Sequence, residues 1–259
     1  MILTIEHGPV RELRLNRPPV NALSPELIVA LRQAVQNGPG DGVRALILSG
    51  APGRYSGGLD VPLLLEQDKR AIEALWRDFF SLLGTIAYSP IPIVAAITGH
   101  APAGGTVLAL YCDWRVMAKG DYKLGLNEVQ VGIHLPPILL AGLQRLVGMR
   151  EAERLAVCGA LLTPEEALEV GLVDELAPTD QVLERALRWC EGLLALPPEA
   201  MSATRRQARA DLHGVFGHNV EDEVQRAIES WWSPETQSTL RALVERLGKK
   251  PAARSSAQS

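Results

Sequence analysis

Residues 97–131 read ITGHAPAGGTVLALYCDWRVMAKGDYKLGLNEVQV. Small residues crowd around Pro102, and two glycines open a run of apolar residues. The stretch closes on one carboxylate, Glu128, set among Leu124, Leu126, Val129 and Val131. The preceding PIVAAIT is a short apolar run bounded by Pro and Gly, the pattern of a buried strand. GGTVLALYC then reads as a short helix and WRVMA as a further strand. A strand that turns through glycine into a helix and returns as a strand predicts an α/β chain.

Working outward, the order strand-then-helix recurs, although no sequence repeat accompanies it. ILTIEH and VRELRLN alternate apolar and polar residues around Gly8-Pro9 and predict a hairpin. Ser24 before Pro25 caps a helix whose buried face carries Leu27, Leu31 and Val35. VRALILSG is a buried strand, and APGRYSGGLD a glycine-rich loop. Residues 66–88 predict a helix with Ile72, Leu75, Trp76, Phe79, Phe80 and Leu83 on one stripe; the helical spacing favours core for these, with pocket lining by Trp76, Phe79 and Phe80 as the alternative. TPEEALEVGLVDEL holds a capping box (Thr163, Glu166) and a helix stopping at Gly171. Further helices are expected over 179–196, 198–213 and 218–247, the last broken near Ser233-Pro234. The expected organisation is an α/β core over 1–195, a helical region over 196–248 and a flexible tail over 249–259.

Composition narrows the class. The chain has 259 residues, 47% hydrophobic and 22% charged, enough apolar content for a large core. A net charge of −4 gives no sign of a nucleic-acid surface. The three cysteines are far apart, with no CxxC pair, so neither a disulfide framework nor a zinc site is expected. Cys112 and Cys158 are expected to pack as small hydrophobes in a reducing compartment. No signal-peptide pattern and no membrane-length apolar run is read, and a cytoplasmic location is expected.

Two glycine-rich loops follow two buried strands: Tyr55 to Asp60, and Gly99 to Gly105 at a helix start. Glycine allows close backbone approach to a ligand, and a helix N-terminus presents free N–H groups. Such groups can hold a carbonyl oxygen that becomes an oxyanion, each donor supplying about 3 kcal/mol of transition-state stabilisation. Tight turns closing βα connections are the equal alternative. GxGxxG, GxxxxGK[ST] and GxSxG are all absent, which disfavours nucleotide binding and a Ser56–His100 hydrolase pair. Glu128 is the one acid between Asp121 and Glu151. Apolar neighbours raise a carboxyl's pKa and suit it to carry a proton near neutral pH; a carboxylate bonded to backbone or Arg is the alternative. His100 and His134 have no second ligand at a helical spacing, so no metal is expected. Trp231-Trp232 is read as core or interface.

NRPPVNALS, GRYSGGLD, GHAPAGG with LALYCDWRVMA, and LGLNEVQVGI, in this order, resemble the crotonase (enoyl-CoA hydratase/isomerase) superfamily from about Leu15 to Gly248. The resemblance implies a spiral of ββα turns with C-terminal helices that build a homotrimer or a dimer of trimers. It implies an acyl-CoA thioester as substrate and no other cofactor. The backbone N–H groups of Gly57 and Gly104 would form the oxyanion hole. A hydratase of this family uses two glutamates; Glu128 stands at one position and Val107 at the other. That departure, with APAGG and GLNE, is similar to the mitochondrial-type Δ3,Δ2-enoyl-CoA isomerases. Ala22, Leu23, Tyr55, Gly57 and Leu59 would lie along the CoA path, with Val107 and Leu108 keeping water out. Arg17, Arg54, Lys249 and Lys250 are candidates for the phosphates. Hydration or thioester hydrolysis with Asp60 or Glu66 as a second acid, and a silent CoA-binding scaffold, are the competing readings.

Overall fold

The computed structural model describes residues 1–217 and 220–249. The chain opens with an antiparallel hairpin of β1 (Ile2–His7) and β2 (Val10–Leu15), turned at Gly8, followed by α1 (Pro25–Asn37). Three turns of a spiral come next. The first is β3 (Ala45–Ser49), β4 (Gly53–Arg54), α2 (Val61–Leu64) and α3 (Lys69–Ala87). The second is β5 (Ile93–Ile97), β6 (Gly99–Pro102) and α4 (Gly104–Leu110). The third is β7 (Trp114–Ala118), β8 (Leu124–Gly125), a 3-10 turn at Glu128–Val131, α5 (Pro137–Val147) and α6 (Met149–Cys158). Then follow α7 (Pro164–Glu169), β9 (Glu175–Ala177), α8 (Val182–Leu194), α9 (Pro198–Ala208), α10 (Leu212–Phe216), α11 (Val220–Trp231) and α12 (Pro234–Lys249).

Each turn gives one strand to a large sheet, ordered β1-β2-β3-β5-β7-β9, and the next to a small parallel sheet, β4-β6-β8. This is the expected ββα spiral. β3 and β5 are buried at every position, as parallel strands covered on both faces must be. Alternate residues serve different layers. Leu46, Leu48, Ile93, Ala95 and Ile97 enter the main core. Ala45, Ile47, Val94 and Ala96 meet Val182, Ala186 and Cys190 of α8.

Several local expectations shift. The stripe on α3 is buried as read, but the helix begins at Lys69, where the Asp68 carboxylate accepts the Ala71 N–H at 2.8 Å. Pro62 and the Asp60 cap make residues 61–64 a separate helical turn. The first half of the second glycine loop is strand β6. It runs so close to β4 that a Cβ on Gly99 would fall 2.0 Å from the Gly53 carbonyl carbon. The single helix expected over 198–213 is two, because the chain turns after α9 to drive Leu212 into the core. Cys158 is exposed and not packed, since Ala152, Leu155 and Ala156 take the inward face of α6. The Thr163 capping box forms in both directions, at 2.7 and 3.2 Å.

The C-terminal helices share the core. Val224, Ile228 and Trp231 of α11 and Leu240 of α12 join the main cluster, while Trp232 is exposed. α12 lies against α2 and the Glu128 turn. Residues 250–259 of the expected tail, including Lys250, and positions 218–219 fall outside the described residues, as does the side chain of Lys249. No helix among the described residues is long and apolar enough to cross a membrane.

Candidate active site

A cavity of about 550 Å³ opens beside the small sheet. Glu128 reaches its wall from the first position of the 3-10 turn, which Gly132 ends in the left-handed region. Its apolar surroundings include Val131, Ile133 and Leu139. The residue is 8% exposed, and burial pushes its carboxyl from 4.5 up to about 7. Oε2 is buried with no hydrogen-bond partner. Asp60 is the other carboxylate on the wall, and it is committed elsewhere. It pairs with Arg17 at 2.5 Å and caps α2 through the Leu63 N–H at 3.3 Å. Glu66 is not on the wall.

The two glycine segments reach the same cavity. The Gly57 N–H, expected to face a ligand, donates instead to the Val20 carbonyl at 2.8 Å. Gly57 lines the cavity, but its amide is spent on holding two loops together. The adjacent Leu59 N–H has no partner among the described residues, and neither has that of Gly104, the first residue of α4. Both residues line the cavity. A Cβ built on Gly104 would lie 3.3 Å from the Leu59 nitrogen, so the two amides occupy one small patch. Leu59, and not Gly57, is therefore the second free donor. Ala103, just before Gly104, is held at φ 47°, a conformation that costs a non-glycine residue on the order of 1–3 kcal/mol. Bonds from Ala103 N–H to Gly125 O (2.8 Å) and from Val107 N–H to Ala103 O (3.0 Å) keep it there.

Thr106, which sequence reasoning passed over, ties the two walls together. Its hydroxyl donates to Ala101 O at 2.6 Å and accepts the Gly125 N–H at 2.7 Å, three residues before Glu128. Ala22 also lines the cavity. Leu23, Tyr55 and Val107, expected along the substrate path, do not: each is 0% exposed and packed in the main core. Val107 is turned inward because α4 is buried along its whole length. Trp76 and Phe79, for which pocket lining and core were the two readings, are both core and cavity wall. Arg17 lines the cavity, whereas Arg54 is drawn off to the Pro19 carbonyl at 2.7 Å. Ser56 donates to Asn21 O, and His100 accepts the Lys123 N–H, so they form no hydrolase pair.

A family model described as Enoyl-CoA hydratase/isomerase matches residues 6–250. The chain belongs to the enoyl-CoA hydratase/isomerase family. Among its relatives, the human mitochondrial enoyl-CoA delta isomerase 1 is 33% identical over 241 residues, spanning 92% of this chain and 80% of that protein. A probable enoyl-CoA hydratase of Mycobacterium avium is 36% identical over 206 residues, spanning 79% of this chain and 78% of that one. The crystal structure of human mitochondrial Δ3-Δ2-enoyl-CoA isomerase superimposes with a TM-score of 0.91 at 32% identity, covering 97% of this chain and 99% of that one. The spiral is thus the crotonase fold of the enoyl-CoA hydratase/isomerase family. The cavity is where this member of it gathers one carboxyl outside any ion pair, that of Glu128, and the unpaired amides of Leu59 and Gly104. Among the described residues no cluster of three His, Cys, Asp or Glu side chains is placed to hold a metal ion.

Proposed function

We propose that the chain moves a double bond from C3 to C2 of 3-enoyl-CoA thioesters by single-glutamate proton transfer. The thioester oxygen takes the Leu59 and Gly104 N–H groups, which stabilise the negative charge that develops on it. Glu128 removes a proton from C2, leaving a dienolate, and returns that proton to C4. The product is the trans-2-enoyl-CoA, with no gain or loss of atoms. The carrying observation is the isolation of Glu128: it is the one carboxylate on the wall not already held in an ion pair. One such group suffices to shuttle a proton. Hydration asks for a second acid or base to handle water, and the position the family uses for it is Val107, walled off in the core. The mycobacterial relative's name favours hydration as the second reading.

Incubation with 3-hexenoyl-CoA and, separately, crotonyl-CoA decides between them. Isomerisation is expected, with hydration slower by about 10²-fold or more. Hydration at a comparable rate would overturn the isomerase reading, and no turnover of either thioester would leave the silent scaffold. Because Glu128 must be ionised to accept a proton, kcat for isomerisation should rise with pH, with its midpoint near the raised pKa of about 7. A flat kcat between pH 5 and 9 would place the base elsewhere. The family resemblance implies self-association to a trimer or hexamer of the 28.0 kDa chain, readable by light scattering.

A further inference from the structure

From Tyr55 to Asp60 every backbone N–H except that of Leu59 has a partner. Those of Tyr55 and Ser56 donate to His100 O, that of Gly57 to Val20 O, that of Gly58 to Ser56 Oγ, and that of Asp60 to Leu23 O. Much of this lattice joins the loop to residues 20–23, and Asn21 sits at its centre. Asn21 is buried, with φ 52°, one of two non-glycine residues in the left-handed region among the described residues. Asn tolerates that region better than most side chains do. Its amide faces both ways: Oδ1 accepts the Arg17 N–H at 2.9 Å, and Nδ2 donates to the Tyr55 carbonyl at 3.0 Å. Its own carbonyl accepts the Ser56 hydroxyl at 2.8 Å, and that same hydroxyl accepts the Gly58 N–H at 3.3 Å. Asn21 itself is not on the cavity wall.

We infer that Asn21 is the positioning residue for the Leu59 amide. By fixing both Tyr55 and Ser56, it aims the one unpaired N–H of the loop at the thioester oxygen. This rests on the isomerase reading for its link to turnover, but not for its link to carbonyl polarisation. The left-handed backbone at Asn21 is what lets one residue bond the loop through its side chain and its carbonyl at once.

Two substitutions separate side chain from backbone. Asn21→Gly keeps the left-handed conformation and deletes both amide bonds. Asn21→Asp keeps the shape but turns an acceptor toward the Tyr55 carbonyl. For each, kcat and KM for 3-hexenoyl-CoA are measured, together with the infrared carbonyl stretch of bound, 13C-labelled trans-2-hexenoyl-CoA. In the wild type that stretch should fall on binding. In both variants kcat should drop about 10- to 100-fold, as expected for a displaced reacting group, with KM within about twofold. The bound stretch should return toward its free-solution value. A merely structural role would lower the melting temperature and leave the stretch where the wild type has it. A wild-type stretch and kcat in both folded variants would overturn the inference. Should both variants fail to fold by circular dichroism, Ser56→Ala, which deletes the hydroxyl bridge between Asn21 and Gly58, is read by the same two outcomes. Failure of the isomerase reading looks different: the wild type would turn over no 3-enoyl-CoA, while the stretch would still report whether Asn21 sets the donor.

Discussion

Glu128→Gln should lose isomerisation by about 10²–10⁴-fold, the usual share of a general base, and yet melt at a higher temperature than the wild type at pH 8. The two effects have one cause. Burial raises the carboxyl from 4.5 to about 7, which makes it basic enough to take a proton and costly to ionise in the folded chain. Below about pH 4.5 the group is protonated in both folded and unfolded chains and costs nothing by ionisation. Between 4.5 and about 7 the unfolded chain releases its proton first, so stability falls as pH rises. Above about 7 the penalty is complete, and at roughly 1.4 kcal/mol per pKa unit it amounts to about 3 kcal/mol. Gln has nearly the same shape and cannot ionise, so the stability gain should appear at pH 8 and vanish near pH 4. Calorimetry at the two pH values, with acyl-CoA binding as a control, checks this. A variant that isomerises normally would mean that Glu128 is not the base, and one that melts alike at pH 8 would mean that its charge does not strain the fold.

Gly58→Ala should cut kcat by about 10²-fold, while its neighbour Gly57→Ala should keep most of it. Gly58 has φ +84°, and a Cβ there would lie 3.2 Å from both the Gly104 nitrogen and the Pro102 carbonyl oxygen. The methyl strains the backbone and wedges the two donor-bearing loops apart at the point where their amides converge. Gly57 has no such conformation, and its Cβ would meet the exposed Val20 side chain at 3.1 Å, which can give way. If Gly57 supplied the donor, the ranking would reverse. Steady-state kinetics of the two purified variants are enough to tell.

The α/β strands, the two glycine segments and Glu128 were legible because each leaves a local mark, whereas the spiral itself came only from the family resemblance. Apolar strands buried on both faces read as continuous runs, and an acid among leucines and valines stands out. Which amide is free left no such mark. In YSGGLD the glycines attract attention, but a donor is free only when nothing else takes it. The acceptors that occupy Gly57 and Asp60, Val20 O and Leu23 O, come from a segment more than thirty residues upstream. Val107 was legible as a missing acid but misread as a wall residue, since one helix position decides whether it faces core or cavity. Thr106 looked like one more small residue, and only the parallel pairing of β6 with β8 shows it bridging two turns.

Within the small sheet, the chain beyond each strand delivers one working group. Leu59 follows β4, Gly104 follows β6, and Glu128 follows β8, so each comes from the carboxyl end of its parallel strand, where open α/β sheets hold their ligands. The division of labour is therefore by rung. On the proposed reading, the first two rungs grip a thioester oxygen through backbone N–H groups. The third rung would carry the side chain that addresses the reacting carbons. A lineage built on this ladder can exchange the chemistry at the third rung and keep its hold on the thioester, because the grip and the reaction are written on separate strands.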